Sequence, residues 1–184
     1  LYQGHPVAME GNMIKRSWWQ YYETLPDVQE WLMSVDATFK DNEDNDFVAI
    51  QVWAKLRADM YLVDSINKHL DFPSTMREII RLRGMYRDCK VTLIEDKANG
   101  PAIIQMLRTR LGGIIPVDPR GGKTARVNAI AGAIESGNVH LPSNKLFTQA
   151  FVDQFSAFPK GKHDDMVDAA SQALNRFIYY SAEP

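Results

Sequence analysis

Three apolar runs follow one another with little between them, at residues 30–39, 42–56 and 58–67, and they limit the fold more than any other feature. The first is EWLMSVDATF. The second opens on a polar turn, NEDND, and continues as FVAIQVWAKL, and the third, ADMYLVDSIN, follows after Arg57 alone. Short runs rich in β-branched and aromatic residues with such tight connections predict an antiparallel meander. The pattern then changes. In residues 74–88, Met76, Ile79, Ile80, Leu82 and Met85 recur mostly at spacings of three and four, which predicts an amphipathic helix with Ser74 as its N-cap. A strand at 89–96, a helix at 99–111 with Pro101 in its first turn, a strand at 112–119 and a helix at 123–137 stopped by Gly137 follow. An extended piece at 138–142 and helices at 143–158 and 164–180 complete the chain. The expected architecture is α/β: a mixed sheet, three antiparallel strands and then parallel ones, flanked by helices.

Chemistry is suggested by where single acids interrupt this pattern. Asp36 closes the apolar WLMSVD and Glu95 closes VTLIE, positions where an unpaired carboxylate is costly to bury. Asp164, Asp165 and Asp168 stand in the first turn of the last helix, and residues three or four apart share a helix face. If the two strands are neighbours and the helix crosses their ends, three or four carboxylates converge. Like charges so close demand cations. Oxygen-only ligands favour Mg²⁺ or Mn²⁺, and the sequence has no Cys and His spacing suited to zinc. The chemistry that uses such a site is phosphodiester hydrolysis by two ions about 3.5 to 4 Å apart. Each acid also has a plain reading. Asp164 and Asp165 suit a helix N-terminus in any protein, and Asp36, Glu95 and the adjacent Asp96 suit strand ends. Only their recurrence favours a site.

Composition leaves room for this and excludes other classes. With 184 residues, 45% apolar and 24% charged, the chain reads as one globular domain with at most a short appendage. It contains no apolar window near the roughly 18 residues a membrane span needs, and no secretory leader pattern. The one cysteine, Cys89, is expected to pack in the core. A net charge of −2 is low for a dedicated nucleic-acid module, so any DNA contact must come from a local patch or from a partner domain. Arg120, Lys123 and Arg126 surround glycines at a helix start, where backbone amides also favour phosphate, and Lys160, Lys162 and His163 precede the acidic helix. Solvated surface explains these groups as readily from the residues alone. PRGGKT, at 119–124, is not a phosphate-binding loop, since Val117 stands where that motif needs glycine, so ATP hydrolysis is not expected.

Taken in order, SVDATFKDNEDNDFVAI, LIEDKANGPAIIQ, PRGGKTARVNAIAGAIESGNVHLP and GKHDDMVDAASQAL resemble the C-terminal nuclease domain of tailed-bacteriophage terminase large subunits, over residues 30–180. The resemblance implies a ribonuclease H-like fold and cutting of concatemeric double-stranded viral DNA during genome packaging. It implies two Mg²⁺ or Mn²⁺ ions held by Asp36, Glu95, Asp165 and Asp168, with Asp164 and Asp96 as alternates, and products ending in a 5′-phosphate and a 3′-hydroxyl. It favours DNA for Arg120, Lys123, Arg126, Lys160, Lys162 and His163. The implied partners are double-stranded DNA, an ATPase motor domain of the same full-length chain, the portal and the small terminase subunit, in the host cytoplasm and away from membranes. Residues 1–28 then read as the junction from that absent motor and 29–184 as the nuclease domain. This segment is expected to lie extended on the domain surface, with Trp18, Trp19, Tyr21 and Tyr22 pinning it to the core, stacking on bases being the functional alternative. The competing readings are a junction resolvase or transposase-like nuclease of the same fold, and a non-catalytic docking domain.

Overall fold

A computed structural model describes residues 13–37, 47–97 and 100–180. The expected turn at 42–46 and the last residues of the first run lie outside them. The meander is present as β2 (Glu30–Ala37), β3 (Phe47–Leu56) and β4 (Asp59–His69), antiparallel throughout. After it come α1 (Phe72–Met85), β5 (Thr92–Glu95), α2 (Gly100–Leu107), β6 (Ile114–Val117), α3 (Lys123–Glu135), β7 (Val139–Pro142), α4 (Phe147–Ala157) and α5 (Asp165–Tyr179). With β1 (Gln20–Tyr22), the strands form one sheet in the order β1-β7-β4-β3-β2-β5-β6. β5 runs parallel to both β2 and β6, and β7 runs parallel to β4 and β1.

Strand alternation divides the core into two layers. Met33, Val35, Ile50, Val52 and Ile94 meet Ile79 and Leu82 of α1 and Ile103 and Leu107 of α2 on one face. Leu32, Trp53, Leu62, Leu93 and Leu141 meet α3, α4 and α5 on the other, through Ile130, Phe151, Phe155, Val167 and Leu174 among others. Buried on both faces, β2 and β3 lack the polar alternation of a one-sided sheet.

Two local readings change. The expected N-cap of α1, Ser74, lies inside the helix. Asp71 caps instead, accepting the Ser74 N–H at 2.8 Å, while Pro73, having no N–H, suits the first turn. The N-terminal segment does more than lie on the surface. Ile14 and Trp19 are 3% exposed within the core of the α5 face, and β1 adds the edge strand beside β7. Trp19 sets its ring edge-on to Phe151 and Phe155 of α4, as expected of an anchoring residue.

Candidate active site

β2 and β5 are parallel neighbours, and the register that pairs Ser34 with Leu93 and Val35 with Ile94 brings Asp36 and Glu95 to the same carboxyl end. Their side chains share a face with Ser34 and Leu93, because alternate residues of a strand point the same way. That face carries α5. The Ser34 hydroxyl donates to the Ala169 carbonyl at 2.7 Å, and Ala169, Ala170 and Ala173 are buried, so small side chains let the helix lie close to the sheet. The carboxyl ends of adjacent parallel strands therefore meet the N-terminus of α5.

Four glutamine and serine side chains fix that junction. Gln172 donates to Ser34 Oγ at 2.9 Å and to the carbonyls of Val35 and Leu93 at 3.3 Å each, which ties α5 to both acid-bearing strands. Gln51 donates to the Met166 carbonyl at 3.0 Å, and Gln154 accepts the Met166 N–H at 3.0 Å. Buried polar groups satisfied in this way specify one arrangement of helix on sheet. The sequence reading missed these residues. Gln172 had a signal, since positions 165, 168, 172 and 176 continue one helical stripe of polar residues from the acids.

The acids converge. Asp36 is only 8% exposed, and burial, then the charges of Asp168, Asp165 and Glu95, hold its pKa well above the ordinary carboxylate range, against the pull of Lys123. Asp168 is pushed up to about 6, chiefly by burial, with the Lys123 hydrogen bond opposing. Asp165 is raised by burial and by Asp164, and its Oδ2 is buried with no hydrogen-bond partner. Asp96 is exposed, whereas Glu95 is half-buried. Asp164 occupies the N-cap position of α5 without capping through its side chain. Its Oδ2 instead takes the Lys123 ammonium at 2.7 Å, and the same ammonium reaches Asp168 Oδ2 at 2.7 Å. Helix capping therefore does not account for Asp164.

A buried, unpartnered carboxylate oxygen beside a second buried carboxylate is a donor set suited to a hard divalent cation. The acids are not closed into a finished cage: among the described residues, no three His, Cys, Asp or Glu side chains stand close enough to hold an ion as they are. The ammonium of Lys123 takes up part of the cluster.

The candidate DNA contacts separate into two groups. Lys123 and Arg126, on α3, adjoin the acids, with an Arg126 guanidinium nitrogen 4.0 Å from Asp168 Oδ1. Arg120 is 91% exposed on the preceding loop, and Lys160, Lys162 and His163 lie on the loop before α5, where His163 stands against the Phe47 ring. An open groove of about 560 Å³ runs from Glu95 and Asp168 past Arg120 and Arg126 to Arg176 and Tyr179. Arg176 was not expected from the sequence. It follows the same stripe of α5.

A family model described as the terminase RNase H-like domain matches residues 33–177. Among solved structures, the large terminase of a thermophilic bacteriophage in complex with ADP has a TM-score of 0.68 at 12% identity, covering 91% of this chain and 44% of that one. The large terminase nuclease of the thermophilic phage G20c with bound magnesium has a TM-score of 0.62 at 15% identity, covering 90% of this chain and 94% of that one. The same nuclease with bound zinc has a TM-score of 0.60 at 16% identity, covering 94% and 99%. This chain thus spans less than half of the ADP-bound terminase and nearly all of the G20c nuclease. No curated protein matches the sequence significantly. At these identities the solved structures establish the fold, a ribonuclease H-like mixed sheet of the terminase nuclease type, and the family model covers most of the sequence. The chain belongs to the terminase RNase H-like domain family.

Proposed function

We propose that this domain is a metal-dependent endodeoxyribonuclease that cuts concatemeric double-stranded viral DNA during packaging. Asp36, Glu95, Asp165 and Asp168 would hold two Mg²⁺ or Mn²⁺ ions, with Asp164 as the alternate to Asp165. The observation that carries this reading is that the register of β2 beside β5 and the packing of α5 bring Asp36, Glu95, Asp165 and Asp168 to one end of the sheet, where the charges of Asp168, Asp165 and Glu95 act on the buried Asp36. A cluster of like charges raises its own energy, and a protein retains one where a bound cation offsets the repulsion. That the G20c nuclease was solved with bound magnesium supports, by analogy, a divalent cation here. Bound cations would supply positive charge at the scissile phosphate and make water acidic enough to attack near neutral pH.

The protein's own part is placement. Gln172 and Ser34 hold α5 against β2 and β5, so that the carboxylates would meet the phosphate from fixed directions. Arg126 and Lys123, beside the acids, would pair with the scissile and adjacent phosphates, and Arg120 and Arg176 would extend positive charge along the groove. Lys160, Lys162 and His163 would approach the duplex from the loop before α5. Local cations of this kind supply what a net charge of −2 does not.

In a longer chain, residues 1–28 would join this domain to an ATPase motor, and the portal and small terminase subunit would be its partners in the host cytoplasm. No described helix is long and apolar enough to cross a membrane. Incubation of supercoiled plasmid with the domain and Mn²⁺ tests the activity. The expected result is cleavage that Asp36→Asn and EDTA each abolish. Equal cleavage by Asp36→Asn would refute the assignment.

A further inference from the structure

Lys123 is in the wrong place for its own helix. It is the first residue of α3, where the helix dipole disfavours a cation; the N-cap Gly122 makes no side-chain cap bond, and the first turn holds no acid. What it gains lies on the neighbouring helix, α5. One ammonium bridges Asp164 Oδ2 and Asp168 Oδ2, both at 2.7 Å. Burial alone would weaken its charge, but the two carboxylates together outweigh that and hold the proton more firmly than usual. Its side chain remains 48% exposed, with open solvent into which a flexible four-carbon chain can turn.

We propose that Lys123 is the resident counter-ion of the acid cluster and is exchanged for a divalent cation when the site loads, so that metal uptake releases a lysine onto the DNA phosphate. The proposal rests on the reading of these acids as a cation site. A monovalent ammonium offsets only part of the charge of Asp36, Glu95, Asp164, Asp165 and Asp168. A divalent ion on the same carboxylates would repel it at contact distance. The exchange needs no backbone movement, only rotation about the lysine stem. It makes Lys123 a positioning residue that serves both states: it holds Asp164 and Asp168 before loading and is available to an anionic ligand afterwards.

Calorimetric titration of Mn²⁺ into the whole chain tests this without reference to cleavage. Lys123→Gln and Lys123→Met remove the competing charge, and both should bind Mn²⁺ on the order of tenfold more tightly than the unsubstituted protein, since charge at a half-exposed site is only partly screened. Lys123→Arg keeps the charge and should bind no more tightly than the unsubstituted protein. In the metal-free state, thermal melting of Lys123→Gln should come several degrees lower, because the acids lose their cation. Mn²⁺ affinity unchanged or weakened in both neutral variants would overturn the exchange and leave Lys123 a fixed support for the acids. Failure of the unsubstituted protein to bind Mn²⁺ at all would instead overturn the cation-site reading on which the exchange depends.

Discussion

Replacing Asp168 by asparagine should make the metal-free protein more stable at neutral pH, although it deletes a side chain that forms an ion pair. The reason is burial. The carboxylate is 11% exposed and its pKa is pushed from 3.8 to about 6, a difference equivalent to about 3 kcal/mol against the ionised form in the folded state. The opposing pull of Lys123 is already contained in that value, so the ion pair does not reverse the sign. Because the folded-state pKa lies above the unfolded one, the contribution of Asp168 to stability is fully present below about pH 4 and is lost as pH rises through about 6. Asparagine mimics the protonated carboxyl in shape and cannot ionise. Urea unfolding in EDTA at pH 7.5 should therefore show Asp168→Asn more stable by about 1 to 3 kcal/mol, the lower figure allowing for amide burial. Near pH 4 the difference should vanish. An asparagine variant less stable than the parent at pH 7.5, with an unchanged urea dependence, would refute the view that the Asp168 carboxylate is ionised against the cost of its burial.

Gln172→Leu keeps the bulk of the side chain but removes donors to Ser34 and to two strand carbonyls; it should cost about 1 to 3 kcal/mol in urea unfolding and reduce cleavage further than the stability loss explains, because α5 is then free to shift against β2. Cys89 is 1% exposed and burial pushes its thiol up to about 11, so Ellman's reagent at pH 8 should react with it only at the rate of unfolding; immediate reaction would place it outside the core.

The positions of the candidate acids were legible in the sequence, and the reason is physical. Asp36 stands one residue before the end of β2 and Glu95 ends β5, and a carboxylate on an apolar strand has few structural uses, so their positions alone carry information. The three-strand meander and the amphipathic helices were equally legible, since their periodicity is local. What escaped depends on distant pairing. β1 has three residues and exists only because β7, more than a hundred positions later, offers it an edge. Asp71 displaces Ser74 as cap because one turn of backbone decides between them. Lys123 looked like a phosphate contact beside glycines, and nothing in its neighbourhood announces that it bridges two carboxylates of another helix. The glutamines that fix α5 look like ordinary polar residues until the helix is laid on the sheet.

The central claim, that these acids form a cation site for phosphodiester cleavage, is tested most directly by a crystal structure of the protein soaked in Mn²⁺, with data collected at the manganese absorption edge. Anomalous peaks should appear between Asp36, Glu95 and the first turn of α5, with Asp168 and one of Asp164 or Asp165 as ligands and Lys123 turned away from them. Peaks confined to surface carboxylates elsewhere would contradict it, whereas Lys123 still bridging the acids beside bound Mn²⁺ would contradict the exchange alone.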